Sequence, residues 1–370
     1  MPGIRILPRT TNFPEINIFS GRRLLRWYAA HKRDLPWRRT KDPYRVWVSE
    51  IMLQQTTVGA VVPYYKAWLR AYPDIRALAR APLRAVLKSW EGLGYYQRAR
   101  NMRRAARIIL NAHGGRFPED PAILAGLPGF GPYTTAAVAS LSFGKPVPVI
   151  DANVRRVMTR LLGLHGPSGT IHDAEIGRIL RESISRRSPG NFNQAMMEWG
   201  ALVCRTKNPL CLRCPGQGEC RAFARGEQEV IPVPKSFRAK KITTVVAVIR
   251  KGNRVLIQQR PDEGLLAGLW EFPGGKVERG ESLPAALKRE LREELGVEIE
   301  TARLLITVRH SYTRYRVTLH AFDVTTTVRP GESPCSLRSL PCLWVSLKSL
   351  DKYPFPSGSL KIVRKLQERG

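Results

Sequence analysis

The spacing of hydrophobic residues changes once along the chain, near residues 226–240. Before this segment, apolar residues recur at helical intervals. After it, residues 243–249 and 255–259 form short apolar stretches that are typical of strands. The segment itself is polar and contains two prolines. The pattern therefore predicts an all-α domain over residues 18–225, a linker over 226–240, and an α/β domain over 241–370.

Charge suggests a class of partner. The 370 residues include 61 Lys and Arg but 30 Asp and Glu, a formal net charge of +31, and both predicted domains share the excess. The positive electrostatic field of such a chain favours DNA or RNA as the partner. Charge alone, however, fits an ordinary basic protein equally well. No apolar run approaches 18 residues, and no targeting segment is evident. We therefore expect a cytoplasmic, nucleoid-associated protein in which residues 1–17 are a flexible lead-in.

Four cysteines fall within 17 residues as C-x6-C-x2-C-x5-C: Cys204, Cys211, Cys214 and Cys220. Four thiolates on one short loop suit a [4Fe–4S] cluster or a tetrahedral zinc ion. Structural zinc sites usually show two close C-x2-C pairs, and this loop has one, so the spacing favours the cluster. Disulfides are the weaker alternative, because no secretory signal precedes the loop.

Residues 127–138 predict a helix, a Gly-x-Gly turn and a second helix. Gly129 and Gly131 would let the backbone approach a ligand closely, and amides at the next helix start could bind a phosphate. This is typical of a helix-hairpin-helix, although an ordinary turn between packed helices is the alternative. Twenty residues beyond Gly131, Asp151 stands where another helix should begin, and the helix dipole there favours an ionised carboxylate.

The turn, the Asp151 helix start and the cysteine loop, in this order, resemble the endonuclease III-like DNA glycosylase superfamily over residues 20–225. Its members flip a nucleotide out of the duplex and cut its glycosidic bond. Bifunctional members carry a nucleophilic lysine where this chain has Tyr133, so strand cleavage through an imine is not expected. Four segments are also similar to the adenine DNA glycosylase (MutY) family: 33–38, 43–56, 92–101 and 192–197.

This resemblance implies the catalytic roles. Glu50 would be the general acid that protonates adenine N7, and it lies in a predicted helix that packs inward, where a carboxyl should have a raised pKa. Asp151 would stabilise or trap the sugar cation. Tyr133 and Asn153 would support Asp151 and the sugar.

The resemblance also implies contacts with the base and the DNA. Arg33 and Gln194 are expected to line the adenine pocket, while Gln55, Leu93 and Tyr95 would enter the duplex as wedges. Tyr95 could instead belong to the core. The full set of expected substrate and DNA contacts in this domain is Arg33, Trp37, Arg38, Gln55, Thr56, Leu93, Tyr95, Gly129, Gly131 and Gln194.

The second predicted domain carries a Nudix box within residues 264–297. The pattern G-x5-E-x7-R-E-U-x-E-E-x-G-U, with U an apolar residue, fits at every position. Glu290, Glu293 and Glu294 would cluster on a helix beside a glycine-rich loop, as residues that recruit Mg²⁺ do. The alternative is an amphipathic helix with a solvated acidic face.

In the MutY family the C-terminal domain is Nudix-like, recognises 8-oxoguanine and usually lacks an intact box. Here the box is intact, so the domain is either a retained scaffold for lesion recognition, which we favour, or also a Mg²⁺-dependent hydrolase of 8-oxo-dGTP. The family's lesion-contacting loop commonly has Phe-Ser-His where this chain has Tyr312, Thr313 and Arg314. The hydroxyl of the middle residue is kept.

The sequence therefore predicts a monomeric, monofunctional DNA glycosylase that removes adenine opposite 8-oxoguanine or guanine in double-stranded DNA. Three alternatives stay open. One is a bifunctional pyrimidine-lesion glycosylase, against which Tyr133 speaks. The others are a DNA-tethered Nudix pyrophosphatase and a non-catalytic cluster-dependent scaffold, against which Glu50 and Asp151 speak.

Overall fold

The computed structural model describes residues 21–166, 170–233, 239–264, 266–312, 315–326 and 340–368. The predicted lead-in over residues 1–17 lies outside these ranges. No helix in the described part of the chain is both long enough and apolar enough to cross a membrane.

Helices dominate the described chain before the linker, as the apolar spacing predicts. The α-helices are α1 (Gly21–His31), α2 (Pro43–Leu53), α3 (Val58–Ala71), α4 (Ile75–Arg80), α5 (Leu83–Ser89), α6 (Gln97–Ala112), α7 (Pro121–Ala125), α8 (Pro132–Phe143), α9 (Ala152–Leu162), α10 (Thr170–Ser183), α11 (Pro189–Leu202) and α12 (Arg221–Ala224). Short 3₁₀ helices span Pro36–Arg39, Cys211–Arg213 and Gln217–Glu219.

The chain divides into two compact units, and one of the boundaries between them, at residues 235 and 236, falls within the predicted linker. The first comprises residues 1–46, 119–121 and 131–235, and the second comprises 47–118, 122–130 and 236–370. The second unit thus contains several helices together with the C-terminal domain. The domain boundaries given above stay a prediction about the sequence.

In the first unit, α9 builds the core. Its apolar residues Val154, Val157, Met158 and Leu161 recur at i, i+3, i+4 and i+7, so they form one buried stripe that packs with α1, α10 and α11. The helix ends at Gly163, whose φ of 61° is the left-handed conformation that a helix C-cap requires.

In the second unit, the helical part packs around tryptophans. Trp68 on α3 and Trp90 after α5 are fully buried, with ring centroids 5.4 Å apart in an edge-to-face arrangement. Trp47 on α2 stacks on Phe130 at 5.4 Å. The second contact packs α2, which carries Glu50, against a buried aromatic ring.

The C-terminal domain is a mixed sheet with a helix on each face. Its described strands are β1 (Lys240–Lys251), β2 (Arg254–Gln259), β3 (Trp270–Glu271), β4 (Gly274–Lys276), β5 (Ile299–Tyr312), β6 (Tyr315–Thr326) and β7 (Cys342–Ser346), and its helices are α13 (Leu283–Leu295) and α14 (Ser357–Gln367). The strand order is β3-β2-β1-β6-β5, with β4 paired to β1 and β7 to β2. β1 and β6 pair in parallel, from Lys240 opposite Tyr315 to Ile249 opposite Val324.

Alternation along β1 explains the two cores. Val246 and Val248 face a cluster that includes Ile362 of α14, whereas Val245 and Ala247 face a cluster that includes residues of α13. Because successive strand residues point to opposite faces, a continuous apolar strand must be covered on both sides. The apolar stretch at residues 243–249 is therefore a central strand.

Candidate active site

Asp151 is the N-cap of α9, as predicted. Its Oδ1 accepts a hydrogen bond from the Val154 amide at 2.7 Å, and its Oδ2 accepts one from Asn153 Nδ2 at 2.9 Å. Burial raises the pKa of Asp151 above its ordinary value, even though these two bonds oppose the shift. The helix start thus orients the carboxylate, but it does not lower its pKa as the dipole argument alone suggests.

A hydrogen-bonded chain leads from Asp151 to the cysteine loop. Asn153 Oδ1 accepts from Arg156 Nη2 at 2.8 Å, and Arg156 also donates to the carbonyls of Gly200 and Cys204, each at 2.7 Å. A Cβ at position 200 would lie 2.5 Å from Asn153 Cβ. Gly200 therefore lets α11 approach α9 closely, and Arg156 then joins the Asn153 side chain to the backbone of the loop.

Tyr133 lies in the first turn of α8 and packs against the small cluster of Ala136, Ala137 and Val149. Its hydroxyl donates to Met197 Sδ at 3.7 Å. Position 133 therefore has no amine. The resemblance described above implies that bifunctional members of the superfamily carry a lysine there.

Arg33 and Arg38 converge on Glu198, a residue that no sequence pattern singled out. Arg33 binds both carboxylate oxygens through its guanidinium at 2.9 and 2.7 Å, and Arg38 does the same at 2.8 and 2.7 Å. Burial alone would raise the pKa of Glu198, but the hydrogen bonds from Arg38 and Arg33 outweigh it and lower that pKa to about 2. Glu198 is therefore a buried anion that fixes two predicted substrate contacts.

The neighbours of this ion pair are also largely enclosed. Trp37 is buried, and the Arg38 side chain is 12 % exposed. Gln194 accepts a hydrogen bond from Tyr28 Oη, and Arg38 lies over the Tyr28 ring at 5.6 Å. Contacts of Trp37, Arg38 and Gln194 with substrate stay predictions, and in the described structure Tyr28 contacts both Arg38 and Gln194.

Glu50 is on α2, and at 4 % exposed it is one of the most deeply buried acidic side chains of the described chain. The inward-packing helix predicted from residue 43 is confirmed over Pro43–Leu53. Glu50 belongs to the second unit, whereas Asp151 belongs to the first.

The predicted wedge residues differ in exposure. Gln55 and Tyr95 line one cavity together with Gln97 and Arg98, and both have positive φ, 58° and 48°. Leu93 is instead buried at 7 % exposed. Gln55 and Tyr95 are therefore the accessible members of the set, and Tyr95 is partly exposed, not a core residue.

Thr56 closes the turn that follows α2. Its amide donates to the Leu53 carbonyl at 3.3 Å, and its hydroxyl donates to the Gln54 carbonyl at 3.4 Å. The described role of this side chain is thus to shape the turn beside Gln55.

The two hairpin glycines differ in the reason for their presence. Gly129 has φ 83°, and a Cβ there would lie 3.0 Å from Asn101 Cβ, so the turn itself requires glycine. Gly131 is the N-cap of α8 with φ −78°, and nothing lies within 4 Å of a Cβ built on it. The fold does not need glycine at 131, so open space at this helix start suits close approach of a ligand.

All four predicted ligand cysteines line a common cavity, and each is a free thiol, not part of a disulfide. Arg160 donates to Cys204 Sγ at 3.3 Å, and Trp199 Nε1 donates to Cys214 Sγ at 3.2 Å. Burial raises the pKa of Cys214 to about 11. Thiolates here would thus need a positive partner such as a metal. The shared cavity brings the four cysteines together, but no three of them are arranged to hold a metal ion in the described part of the chain, so the cluster stays a prediction.

The Nudix-box carboxylates are bound to protein groups. Glu294 Oε2 accepts from Gln258 Nε2 at 2.7 Å and from the Gly274 amide at 3.0 Å. Glu290 accepts from Arg289 at 3.0 Å. Both acids are buried. Both carboxyl groups thus have donors within the protein, and the possible Mg²⁺ site stays a prediction.

Other acidic residues complete this region. Glu293 is exposed and lies 3.5 Å from Arg289. Glu271, which no sequence pattern singled out, has a pKa raised to about 7 by burial, even though Arg260 opposes the shift. Across the described ranges, no group of three or more His, Cys, Asp or Glu side chains is arranged to hold a metal ion.

The predicted lesion-contacting residues Thr313 and Arg314 lie outside the described residues. Tyr312 ends β5, and its backbone pairs with Tyr315 of β6. The predicted lesion-contacting loop therefore lies between these two strands in the sequence.

Comparisons with known proteins define the class. Residues 48–184 match the profile of the HhH-GPD superfamily of base excision DNA repair proteins, and residues 244–365 match that of the NUDIX domain. The structure is similar to that of a thermostable thymine-DNA glycosylase, with a TM-score of 0.51 and 29 % identity, covering 55 % of this chain and 95 % of that one. The fold and the site therefore define a helix-hairpin-helix DNA N-glycosylase with a C-terminal Nudix-like domain.

Sequence relatives narrow the class to one family. The chain is 35 % identical to the adenine DNA glycosylase of Homo sapiens, covering 86 % of this chain and 70 % of that protein. It is 34 % identical to the adenine DNA glycosylase of Buchnera aphidicola subsp. Acyrthosiphon pisum, covering 79 % and 82 %. The chain belongs to the adenine DNA glycosylase family. The predicted fold class, family and enzyme class are thereby confirmed.

Proposed function

We propose that this protein removes adenine paired with 8-oxoguanine or guanine in double-stranded DNA and leaves an intact abasic site for base excision repair. The observation that carries the proposal is the near-complete burial of Glu50, at 4 % exposed, on a helix with apolar packing. A carboxyl in such a setting is suited to hold a proton at neutral pH.

Glu50 acts as the general acid. It donates its proton to N7 of the extruded adenine, which makes the base a neutral leaving group. The bond between C1′ and N9 then breaks, its electron pair leaves with adenine, and the sugar acquires oxocarbenium character.

Asp151 acts on that cation. Its carboxylate is held by the Val154 amide and by Asn153, so it is oriented before the reaction begins. It stabilises the cation, or bonds to C1′ transiently, until water adds there and loses a proton. Tyr133 and Asn153 support Asp151 and the sugar. Arg33 and Gln194 line the adenine pocket.

The reaction stops at the abasic site because position 133 is tyrosine. An imine with the sugar requires an amine, and a phenol cannot supply one. The bifunctional alternative therefore has no nucleophile in the hairpin.

The cysteine loop holds a [4Fe–4S] cluster through Cys204, Cys211, Cys214 and Cys220. When bound, the cluster supplies a structural cross-link. The loop then presents Arg205, Lys207 and Arg213, all exposed, to DNA phosphates. Phosphate contacts from such residues position the protein without reading sequence.

The C-terminal domain recognises 8-oxoguanine through the loop that contains Tyr312 and Thr313. The bonding of Glu290 and Glu294 to protein donors supports the role of a scaffold and not that of a hydrolase. We place the protein in the cytoplasm, acting on the nucleoid as a monomer.

Single-turnover assays on an 8-oxoguanine:adenine duplex, with and without alkali, test the proposal. Adenine release with strand breaks only after alkali is expected. Breaks without alkali would refute the monofunctional mechanism, and absence of adenine release would refute the function itself.

A parallel assay tests the C-terminal domain. The full chain with Mg²⁺ and 8-oxo-dGTP should release no pyrophosphate above the background set by Glu294→Gln. Clear turnover that this variant abolishes would show a second, hydrolytic activity.

A further inference from the structure

The loop that carries the predicted wedge, residues 92–95, has an unusual backbone. Gly92 and Gly94 have φ of 97° and 70°, and Tyr95, which has a Cβ, has φ 48°. A non-glycine residue keeps such a conformation only where surrounding contacts hold it. The contacts around this loop therefore determine where the Tyr95 side chain points.

Contacts within the helices hold the middle of the loop. Trp90 Nε1 donates to the Gly94 carbonyl at 2.9 Å. Arg98 Nη2 donates to the carbonyls of Leu93 and Gly94 at 3.0 and 3.2 Å. The residues that flank the loop, Glu91 and Tyr96, are held by a different part of the second unit.

The C-terminal domain binds both ends of the loop through a single residue. The Phe355 amide donates to Glu91 Oε1 at 2.8 Å, and the Phe355 carbonyl accepts from Tyr96 Oη at 2.8 Å. Tyr96 and Phe355 are buried, so water does not compete for the bond between them. Lys88 adds a bond to the Tyr353 carbonyl at 3.3 Å.

The Tyr96 hydroxyl also meets the first residue of the loop. Burial raises the pKa of Tyr96, and the neighbouring Gly92 backbone opposes this rise. A Cβ at Gly92 would lie 2.2 Å from Tyr64 Oη. Tyr64 of α3 thus also packs closely against the residue at which the left-handed backbone begins.

The segment that binds the loop is itself part of the sheet core. The Phe355 ring stacks on Phe272 at 5.7 Å, and the Trp270 amide donates to the Pro354 carbonyl at 2.9 Å. The position of Phe355 is therefore set by the sheet that contains β5 and β6, the strands on either side of the predicted lesion-contacting loop.

We propose that Glu91 and Tyr96 are positioning residues through which the C-terminal domain, by its Tyr353–Phe355 segment, fixes the conformation of the wedge loop 92–95. This inference rests on the proposed function for the role of the loop in DNA. The C-terminal domain then does more than read the lesion: it shapes the element that enters the duplex.

Tyr96→Phe in the full chain is the direct test, because it removes the hydroxyl and keeps the ring. Tyr72→Phe is the matched control, since Tyr72 is also buried and its hydroxyl bonds to Ser89 on α5. Amide hydrogen exchange over residues 91–96 is measured without DNA. Exchange should rise about fivefold in Tyr96→Phe, as for loss of one buried hydrogen bond, and stay unchanged in Tyr72→Phe.

A second readout follows base unstacking by 2-aminopurine fluorescence in a duplex with the probe beside the mispair. The fluorescence gain on binding should fall severalfold in Tyr96→Phe but not in the control. Glu91→Gln, which keeps the side-chain shape, should act in the same direction.

Equal exchange of residues 91–96 in Tyr96→Phe, Tyr72→Phe and the unaltered chain would overturn the inference. Because exchange is measured without DNA, this outcome is independent of catalysis. Failure of the unaltered chain to excise adenine would instead count against the proposed function.

Discussion

Replacing Glu198 with glutamine removes the negative charge that Arg33 and Arg38 share while keeping the size of the side chain. Both guanidinium groups bind both carboxylate oxygens, and the Glu198 side chain is 1 % exposed. The variant would leave two cations facing an amide that has one acceptor oxygen. Destabilisation by loss of a buried counter-charge is the expected result.

The structure sets the magnitude. The pKa of Glu198 falls from 4.5 to about 2, and each pKa unit corresponds to about 1.4 kcal/mol, so the ionised carboxylate contributes about 3 kcal/mol to the free energy of unfolding. A carboxyl whose pKa is lowered by folding contributes fully above its unfolded pKa. That contribution is lost as the pH falls from about 4.5 toward about 2.

Urea unfolding of the full chain at neutral pH, and again at a series of lower pH values, measures both effects. Glu198→Gln should lose about 3 kcal/mol at neutral pH and show a correspondingly smaller decline in acid. Glu182→Gln is the control, because Glu182 pairs with Arg178 on an exposed helix face and should cost little. Parallel acid profiles for Glu198→Gln and the unaltered chain would refute the reasoning.

Four further outcomes are expected. Glu50→Gln should abolish adenine release while gel-shift binding to the mispaired duplex survives; release within about tenfold of the unaltered chain would sink Glu50 as the acid. The single-turnover rate should fall with decreasing pH through a midpoint above the ordinary pKa of an aspartate, since burial raises the pKa of Asp151. Asn153→Ala should move that midpoint upward, because it removes a hydrogen bond that lowers this pKa. A downward shift would contradict this role of Asn153. Tyr133→Lys should become trappable by borohydride as a covalent DNA complex, and efficient trapping of the unaltered chain would point to another lysine. The purified protein should absorb near 400 nm, roughly as iron–sulfur proteins do, and Cys214→Ser should lose that absorbance; a colourless protein with one zinc per chain would overturn the cluster.

Local patterns predicted the local structure well. The Gly-x-Gly turn, the Asp151 helix start, α2 and the strands β1 and β2 follow from spacing and capping, which act over a few residues. The four cysteines also face one cavity, as their spacing on one loop suggests. These features depend little on the remainder of the fold.

Features that depend on distant partners could not be predicted from single positions. Glu198 stands 165 residues from Arg33 in the sequence. The parallel pairing of β1 with β6 joins two segments, one of which precedes α13 in the sequence while the other follows it. The burial of Leu93 and the raised pKa of Asp151 likewise come from packing that no local pattern encodes. Sequence similarity could suggest which side chains matter, but their ionisation and exposure had to come from the three-dimensional arrangement.

The discontinuous make-up of the second unit has a consequence for inheritance and gene design. From the domain boundaries alone, a stop codon in the linker would remove the C-terminal domain and leave an active enzyme. Because helices from residues 47–118 share a compact unit with residues 236–370, such a truncation would instead strip buried partners from the helical half. A nonsense allele near residue 235 should therefore behave as a folding defect, and a minimal enzyme needs both segments encoded together.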